Sequence, residues 1–274
     1  MKDASLEWIA FSVDLEPNKD DSMDGIREAM EWFDQTIPRG TVYATHRIAR
    51  ELPEVVSMLA EDHEIAVHVH PREFGHEDDD LAALEPDRQR ELIADTRVAV
   101  AEAAGLDERD LTAFRAGRHK ASPATLSVLA DLGFELDASV NVRYREHMPA
   151  DVADRVAPFV HESGLVELPT TYSEPPLLSR VGVRAGLGGN VTATAHELRS
   201  DRLFCCGSRA LSWLLEETAS VFSMYMHPYD ATEYHEELQN NGQIFRKRIE
   251  NLFRTRRPTE FLTASSISTD TTMI

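Results

Sequence analysis

Cysteine is almost absent from this chain, and the little there is can do little. Cys205 and Cys206 are adjacent, a poor geometry for bridging to each other, and no third thiol exists to pair with either. A disulfide framework is therefore excluded, and so is a zinc ribbon, which needs spaced pairs of ligands. Reduced thiols in a cytoplasmic protein are the expectation. Long apolar runs are missing too: no stretch approaches the roughly 18 residues of a membrane span. The N-terminus MKDASLEWIAFSVD lacks the basic start, apolar middle and small-residue cleavage site of a secretory signal. Lysine occurs only at Lys2, Lys19, Lys120 and Lys247, and 48 acidic against 28 basic residues give a formal charge of −20. That balance excludes a nucleic-acid partner, which would need a basic footprint. It suits a protein kept soluble in molar salt, where the Debye length shrinks to roughly 3 Å, so a halophilic source is expected.

What is present is enough for a full core: 274 residues, 42% of them hydrophobic, with no internal repeat and no Gly/Ser linker. Strand-like and helix-like segments alternate about six or seven times. Trp8, Ile9, Phe11 and Val13 lead into Asp14 and Glu16; Ile26, Met30 and Phe33 mark a helix ending near Pro38; Thr41–Thr45 reads as a strand and Leu52–Ala60 as a helix. A strand follows at Ile65, a long helix after Pro86 with Gly105 as its C-cap, a strand over Leu111–Phe114, and a helix started by Ser122-Pro123 and ended by Gly133. Phe134–Val140 and Leu165–Leu168 read as strands, 173–206 as a long irregular segment, and Leu211, Leu214, Leu215 and Thr218 as a helix face. Val221–Met226, a helix through Ile244 to Leu252 and a short strand Phe261–Thr263 complete the order, and 264–274 reads as a disordered Ser/Thr-rich tail. This is the pattern of one α/β domain over 1–263 with a parallel sheet, open or closed into a barrel.

Polar residues gather at the predicted strand ends. In HEIAVHVHPREFGH, residues 63–76, His68 and His70 share one face of a strand about 6 to 7 Å apart, and Pro71 ends that strand. Two imidazoles so placed can converge on one ion, although one buried histidine beside one exposed histidine is the ordinary arrangement of such a pair. Asp14 and Glu16 are likewise two apart. Arg115 follows the fourth strand, His227 the strand ending at Met226, and Tyr172 and Tyr229 lie near strand ends. The acidic run Glu77–Asp80 reads as a solvated face.

Taken in order, these motifs resemble the polysaccharide deacetylase family, the NodB-homology carbohydrate esterases, over roughly residues 8 to 263. The segments that carry the likeness are TVYATHRIARELPEVVSMLAEDHEIAVHVHP, FRAGRHKASPATLSVLADLGFELDASV and MYMHPYD. The resemblance implies a distorted (β/α) barrel of about seven parallel strands and a divalent metal, commonly zinc, with cobalt or manganese as alternatives. It implies Asp14 as general base, His68 as a metal ligand, Arg115 as the residue orienting the base, and His227 as general acid. Two positions depart from the family pattern. Leu15 stands where a second aspartate is usual, with Glu16 able to replace it, and Arg72 stands where the second histidine is usual, with His70, or less directly His76 in the following loop, able to replace it. The implied reaction is removal of acetyl groups from an N- or O-acetylated sugar. A metal-free carbohydrate-binding member of the same fold and a hydrolase of non-sugar amides are the alternatives. The expected partner is a carbohydrate or glycan precursor, and a homo-oligomer is left open.

Overall fold

The computed structural model describes residues 8–173, 191–192, 221–232, 242–256, 258 and 260–269. Its strands are β1 (Trp8–Leu15), β2 (Thr41–Ala44), β3 (Glu64–Val69), β4 (Ala113–Ala116), β5 (Leu136–Asp137), β6 (Phe159–Val160), β7 (Val166–Glu167), β8 (Tyr172–Ser173), β9 (Val191–Thr192), β10 (Val221–Met226) and β11 (Glu260–Phe261). The main sheet runs β10-β1-β2-β3-β4-β5-β7-β6, parallel throughout except for the antiparallel β6–β7 hairpin, with β11 also parallel to β1. Among the described residues, seven parallel strands of this path, with β11 as an eighth beside β1, thus curl into the distorted barrel that the resemblance implies. Near the two ends of the curl, the Thr171 amide donates to the Ser223 carbonyl of β10 at 3.0 Å, and the Ser223 amide donates to the Thr171 hydroxyl at 2.8 Å.

Alternation along the strands divides the core in two. Ile9, Phe11, Val13 and Leu15 of β1, Ile65, Val67 and Val69 of β3, and Phe222, Met224 and Met226 of β10 face outward into one apolar cluster with the helices. These helices are α1 (Ile26–Thr36), α2 (His46–Glu51), α3 (Pro53–Leu59), α4 (Pro86–Ala104), α5 (Pro123–Asp131) and α6 (Gly242–Arg256). The opposite parity faces into the barrel, where Ala10, Tyr43, Ala66, Ala113, Leu136, Ala138 and Val221 form the second cluster. Successive side chains on a strand point to opposite faces. Asp14 and Glu16, His68 and His70, and Tyr225 and His227 must therefore follow Ala10, Ala66 and Val221 to the inside.

The helix starts follow local chemistry. Ser122 and Thr125 cap α5 reciprocally, with Thr125 N to Ser122 Oγ at 3.2 Å and Ser122 N to Thr125 Oγ1 at 3.0 Å. Gly105, at φ 69°, closes α4 in the left-handed conformation expected of it. The helix expected over Leu52–Ala60 is α3, starting at Pro53, and a separate short helix, α2, capped by Thr45, precedes it; Pro53 disfavours helical geometry at Leu52 and so keeps the two apart. Some strands are shorter or shifted: Phe134–Val140 contributes only Leu136–Asp137, and Leu111–Phe114 becomes Ala113–Ala116.

The expectation of a disordered tail over 264–274 is corrected over Ala264–Thr269, which form α7; 270–274 lie outside the described residues. Ala264 and Ile267 are buried in the inner cluster, and the Ser265 amide donates to Glu64 Oε1 at 3.0 Å. Removing one isoleucine from water there outweighs the polar composition that suggested disorder. Among the described residues no helix is long and apolar enough to cross a membrane. Cys205, Cys206, the helix face from Leu211 to Thr218, and 173–206 apart from Ser173, Val191 and Thr192 lie outside the described residues.

Candidate active site

At the C-terminal ends of β1, β3, β4 and β10, the inward-facing polar residues open into a cleft of about 620 Å³. C-terminal strand ends are where loops and unpaired backbone groups can meet a ligand in parallel α/β sheets. Five of the six residues singled out for chemistry, Asp14, Glu16, His68, His70 and His227, line the cleft, and the sixth, Arg115, is buried behind Asp14. Glu16, His68 and His70 each bring a ligand atom within 4.8 Å of the others. His70 Nε2 lies 2.6 Å from Glu16 Oε2 and 3.1 Å from His68 Nε2, and His68 Nε2 lies 3.6 Å from Glu16 Oε2.

The far nitrogens of both rings are already held. His68 Nδ1 donates to the Arg115 carbonyl at 2.8 Å and His70 Nδ1 to Asp79 Oδ2 at 2.7 Å. Each ring thus presents Nε2 inward, with its orientation fixed from behind, which is how metal-binding imidazoles are ordinarily supported. Two imidazole nitrogens and one carboxylate oxygen, 2.6 to 3.6 Å apart, are a donor set that fits a divalent transition metal, for which the His70–Glu16 contact would open to admit the ion. Without a cation between them, burial would push the His70 ring down, but the charges of Glu16 and Asp79 outweigh it and raise its pKa to about 10. Burial raises the Glu16 carboxyl and the facing His70 and His68 more than reverse this, holding it well below the usual range.

Asp14 stands beside this group. Arg115, buried and stacked over Tyr43 with its guanidinium 4.1 Å from the ring centroid, grips Asp14 Oδ1 through Nη1. Its Nε donates to the Ala138 carbonyl at 3.1 Å, so the guanidinium is fixed from two sides. Burial opposes ionisation of Asp14, but the Arg115 charge, with His68 and His227, keeps its pKa below the ordinary value. Across the cleft His227 brings Nε2 within 4.0 Å of Asp14 Oδ2 and 3.8 Å of Glu16 Oε1. Its Nδ1 faces Asp230 Oδ2 at 3.4 Å, and Tyr229 stacks on the ring with centroids 4.6 Å apart and planes 11° apart. Burial disfavours the imidazolium, yet Asp230, Glu16 and Asp14 raise its pKa on balance.

Three participants are not among the residues singled out from the sequence. Asp79, read as part of a solvated acidic run, is 6% exposed and holds His70. His119 is buried, donating from Nδ1 to the Ser139 carbonyl at 3.0 Å, with Nε2 3.0 Å from the Tyr225 hydroxyl. Burial, and then the Arg115 charge, depress its pKa to about 3, so it is neutral and accepts from that hydroxyl. Tyr225 itself was legible, since it shares the inward parity of His227; the inward turn of His119 was not. Tyr229 lines the cleft, whereas Tyr172 is buried in β8. His76 receives a hydrogen bond from Arg88 Nε at 3.2 Å and is not among the clustered ligands.

No protein-family model matches the sequence, and no curated protein does either. Solved structures do match. A Mycobacterium smegmatis protein named as a polysaccharide deacetylase superposes with TM-score 0.61 at 18% identity, covering 98% of this chain and 91% of that one. The PuuE allantoinase gives 0.58 at 13% identity, covering 98% and 91%. A family 4 acetyl xylan esterase from Clostridium thermocellum, in complex with a cobalt ion, gives 0.52 at 13% identity, covering 95% and 90%. The chain has the fold shared by polysaccharide deacetylases and family 4 carbohydrate esterases, a curled, mostly parallel sheet with its polar strand ends gathered in one cleft.

Proposed function

We propose that this chain is a metal-dependent hydrolase that removes acetyl groups from an N- or O-acetylated sugar or glycan precursor. One observation carries the reading: Glu16, His68 and His70 converge within reach of two separately held proton-transfer groups, Asp14 on Arg115 and His227 on Asp230. Glu16, His68 and His70 would hold a divalent ion, zinc first by its ligand preferences and cobalt or manganese as alternatives. Such an ion, when bound, polarises the acyl oxygen and makes water a competent nucleophile near neutral pH.

The remaining steps belong to the chain. Asp14, ionised because Arg115 offsets its burial, keeps Oδ2 toward the cleft to accept the proton of the attacking water. His227, with Nδ1 turned to Asp230, presents Nε2 to donate a proton to the departing nitrogen or oxygen. Tyr229 fixes the plane of that ring. Each such proton transfer contributes roughly 10² to 10⁴ in rate. The cleft volume of about 620 Å³ lies within the range of small-molecule sites.

A second reading, hydrolysis of a non-sugar C–N amide, is favoured by the likeness to the allantoinase. Elemental analysis of protein purified in molar salt without chelator, for the native chain and for His68→Ala/His70→Ala, tests the metal. About one equivalent, lost in the double variant, is expected, with acetate released from acetylated sugars. Metal without acetate would favour the non-sugar amidase. No metal, even after incubation with zinc, cobalt or manganese, would remove the mechanism and leave a carbohydrate-binding protein.

A further inference from the structure

The cleft departs from the acidic excess of the molecule, with four lysine and arginine side chains in its lining against four carboxylates. Against a formal charge of −20, its lining includes Lys19, Arg72, Arg118 and Lys120, two of them from a complement of four lysines. The acidic groups of the lining, Asp14, Glu16, Asp79 and Asp230, are all buried and each faces Arg115 or a histidine, Asp79 facing Arg72 and Arg118 as well. The basic groups sit further out. Arg118 is 57% exposed at its side chain, Arg72 31% and Lys120 20%.

Three of these cations are gathered by two adjacent carboxylates. Arg118 Nε and Arg72 Nε lie 3.1 Å and 3.7 Å from the same oxygen, Asp79 Oδ2, and Lys120 Nζ lies 2.6 Å from Asp80 Oδ2. Asp79 Oδ2 also accepts from His70 Nδ1 at 2.7 Å. A single oxygen shared in this way cannot neutralise two guanidinium groups. It ion-pairs with both near Nε, the Arg72 contact being too long for a hydrogen bond, and the terminal nitrogens, the pair that forms the two-pronged contact with carboxylate or phosphate, hydrogen-bond to nothing among the described residues.

The backbone adds an independent sign. Arg118 and His119 occupy the left-handed region at φ 54° and φ 57°, two consecutive non-glycine residues in a conformation that L side chains disfavour. The two side chains diverge from this turn: His119 is buried against Tyr225, and Arg118 stands at the mouth of the cleft.

We propose that Arg72 and Arg118, with Lys120 beside them, bind an oxyanion of the substrate, which is therefore an acylated sugar carrying a phosphate or carboxylate rather than a neutral glycan. The acylated part of this statement rests on the hydrolase reading; the anion site does not. Phosphate and carboxylate share the chemistry the two forks recognise, so the test separates them.

The as-purified protein would be titrated calorimetrically with glucose 1-phosphate, glucuronate and glucose, none of which carries an acetyl group, at constant ionic strength in the lowest salt that keeps it folded. At least one anionic sugar is expected to bind tenfold or more tighter than glucose, and which one names the anion. Arg118→Gln should reduce that preference about tenfold, in line with the loss of one charge-assisted pair. Arg72→Gln/Arg118→Gln should abolish it, and Arg118→Lys should retain part of it. Metal content is measured in every variant. If a glutamine variant has lost metal, the Arg118→Lys protein decides: equal binding of anionic and neutral sugars there overturns the proposal. So does an anion preference that survives intact in the double variant. Anion preference without acetate release would sink the hydrolase reading alone, whereas acetate release from neutral sugars with no anion preference would sink this proposal alone.

Discussion

Replacing Asp79 tests whether the cleft is built to hold a metal. Its carboxylate is 6% exposed and takes His70 Nδ1 at 2.7 Å, so it decides both which ring nitrogen carries the proton and where Nε2 points. Asp79→Asn keeps an acceptor oxygen of the same size but removes the charge that makes the imidazole a stronger donor of electron density. Asp79→Ala removes both and leaves the ring free to turn. Loss of such a supporting carboxylate ordinarily costs 10- to 100-fold in metal affinity, about 1.4 to 2.7 kcal/mol. About tenfold is expected for asparagine and toward 100-fold for alanine. The assay is competition for zinc or cobalt against a chromophoric chelator at one alkaline pH, where protons compete least for the imidazole. Circular dichroism would check that the fold is retained. Affinities within threefold of native for both folded variants would refute the view that Asp79 supports a ligand, and with it the assignment of His70 as one.

Other outcomes follow from the same geometry. A Cβ on Gly117 would sit 2.7 Å from His70 Nδ1 and Cε1 and equally close to the Val69 carbonyl oxygen, which cannot move aside. Gly117→Ala should therefore lower metal stoichiometry by elemental analysis and cost roughly 1 to 3 kcal/mol in a urea titration. Asp137 and Glu167 are neighbours on β5 and β7, both buried. Burial raises Asp137 to about 6 despite its bonds from Ser139, and burial together with the Asp137 charge raises Glu167 well above its usual value. Since the folded state holds these protons more tightly than the unfolded chain, this pair's contribution to stability is fullest in acid and falls as pH rises through the folded values. Glu167→Gln should accordingly be more stable than native above about pH 6 and lose that advantage toward pH 4. Equal pH slopes in chemical denaturation would contradict this. Ser122→Ala should cost about 1 kcal/mol through loss of the cap on α5, with metal content unchanged.

Strand parity was the part of the site most open to reading in advance. Asp14 with Glu16, and His68 with His70, each lie two residues apart after an apolar-alternating run, and a pleated strand sends such pairs to one face whatever surrounds it. The same rule would have supplied Tyr225 from His227. Caps and stops were equally local: Ser122, Gly105 and Pro71 act through bonds and dihedral angles that need no distant partner.

Asp79 shows where local reading ends. In Glu77–Asp80 the four acidic residues are chemically alike in the chain, and only the path of the loop after β3 carries one of them back onto His70. The tail residue Ile267 has polar neighbours in sequence yet packs in the inner apolar cluster with side chains of β1, β2 and β3, a fact of sheet curvature and not of composition. The sequence by itself determined which side chains share a face, because backbone geometry sets that within a few residues. Only the tertiary structure decided which faces meet, which carboxylate holds which histidine, and that an acidic chain gathers cations around one cleft. Those contacts join residues up to a hundred or more positions apart, as Arg115 joins Asp14, and depend on the closure of the whole sheet.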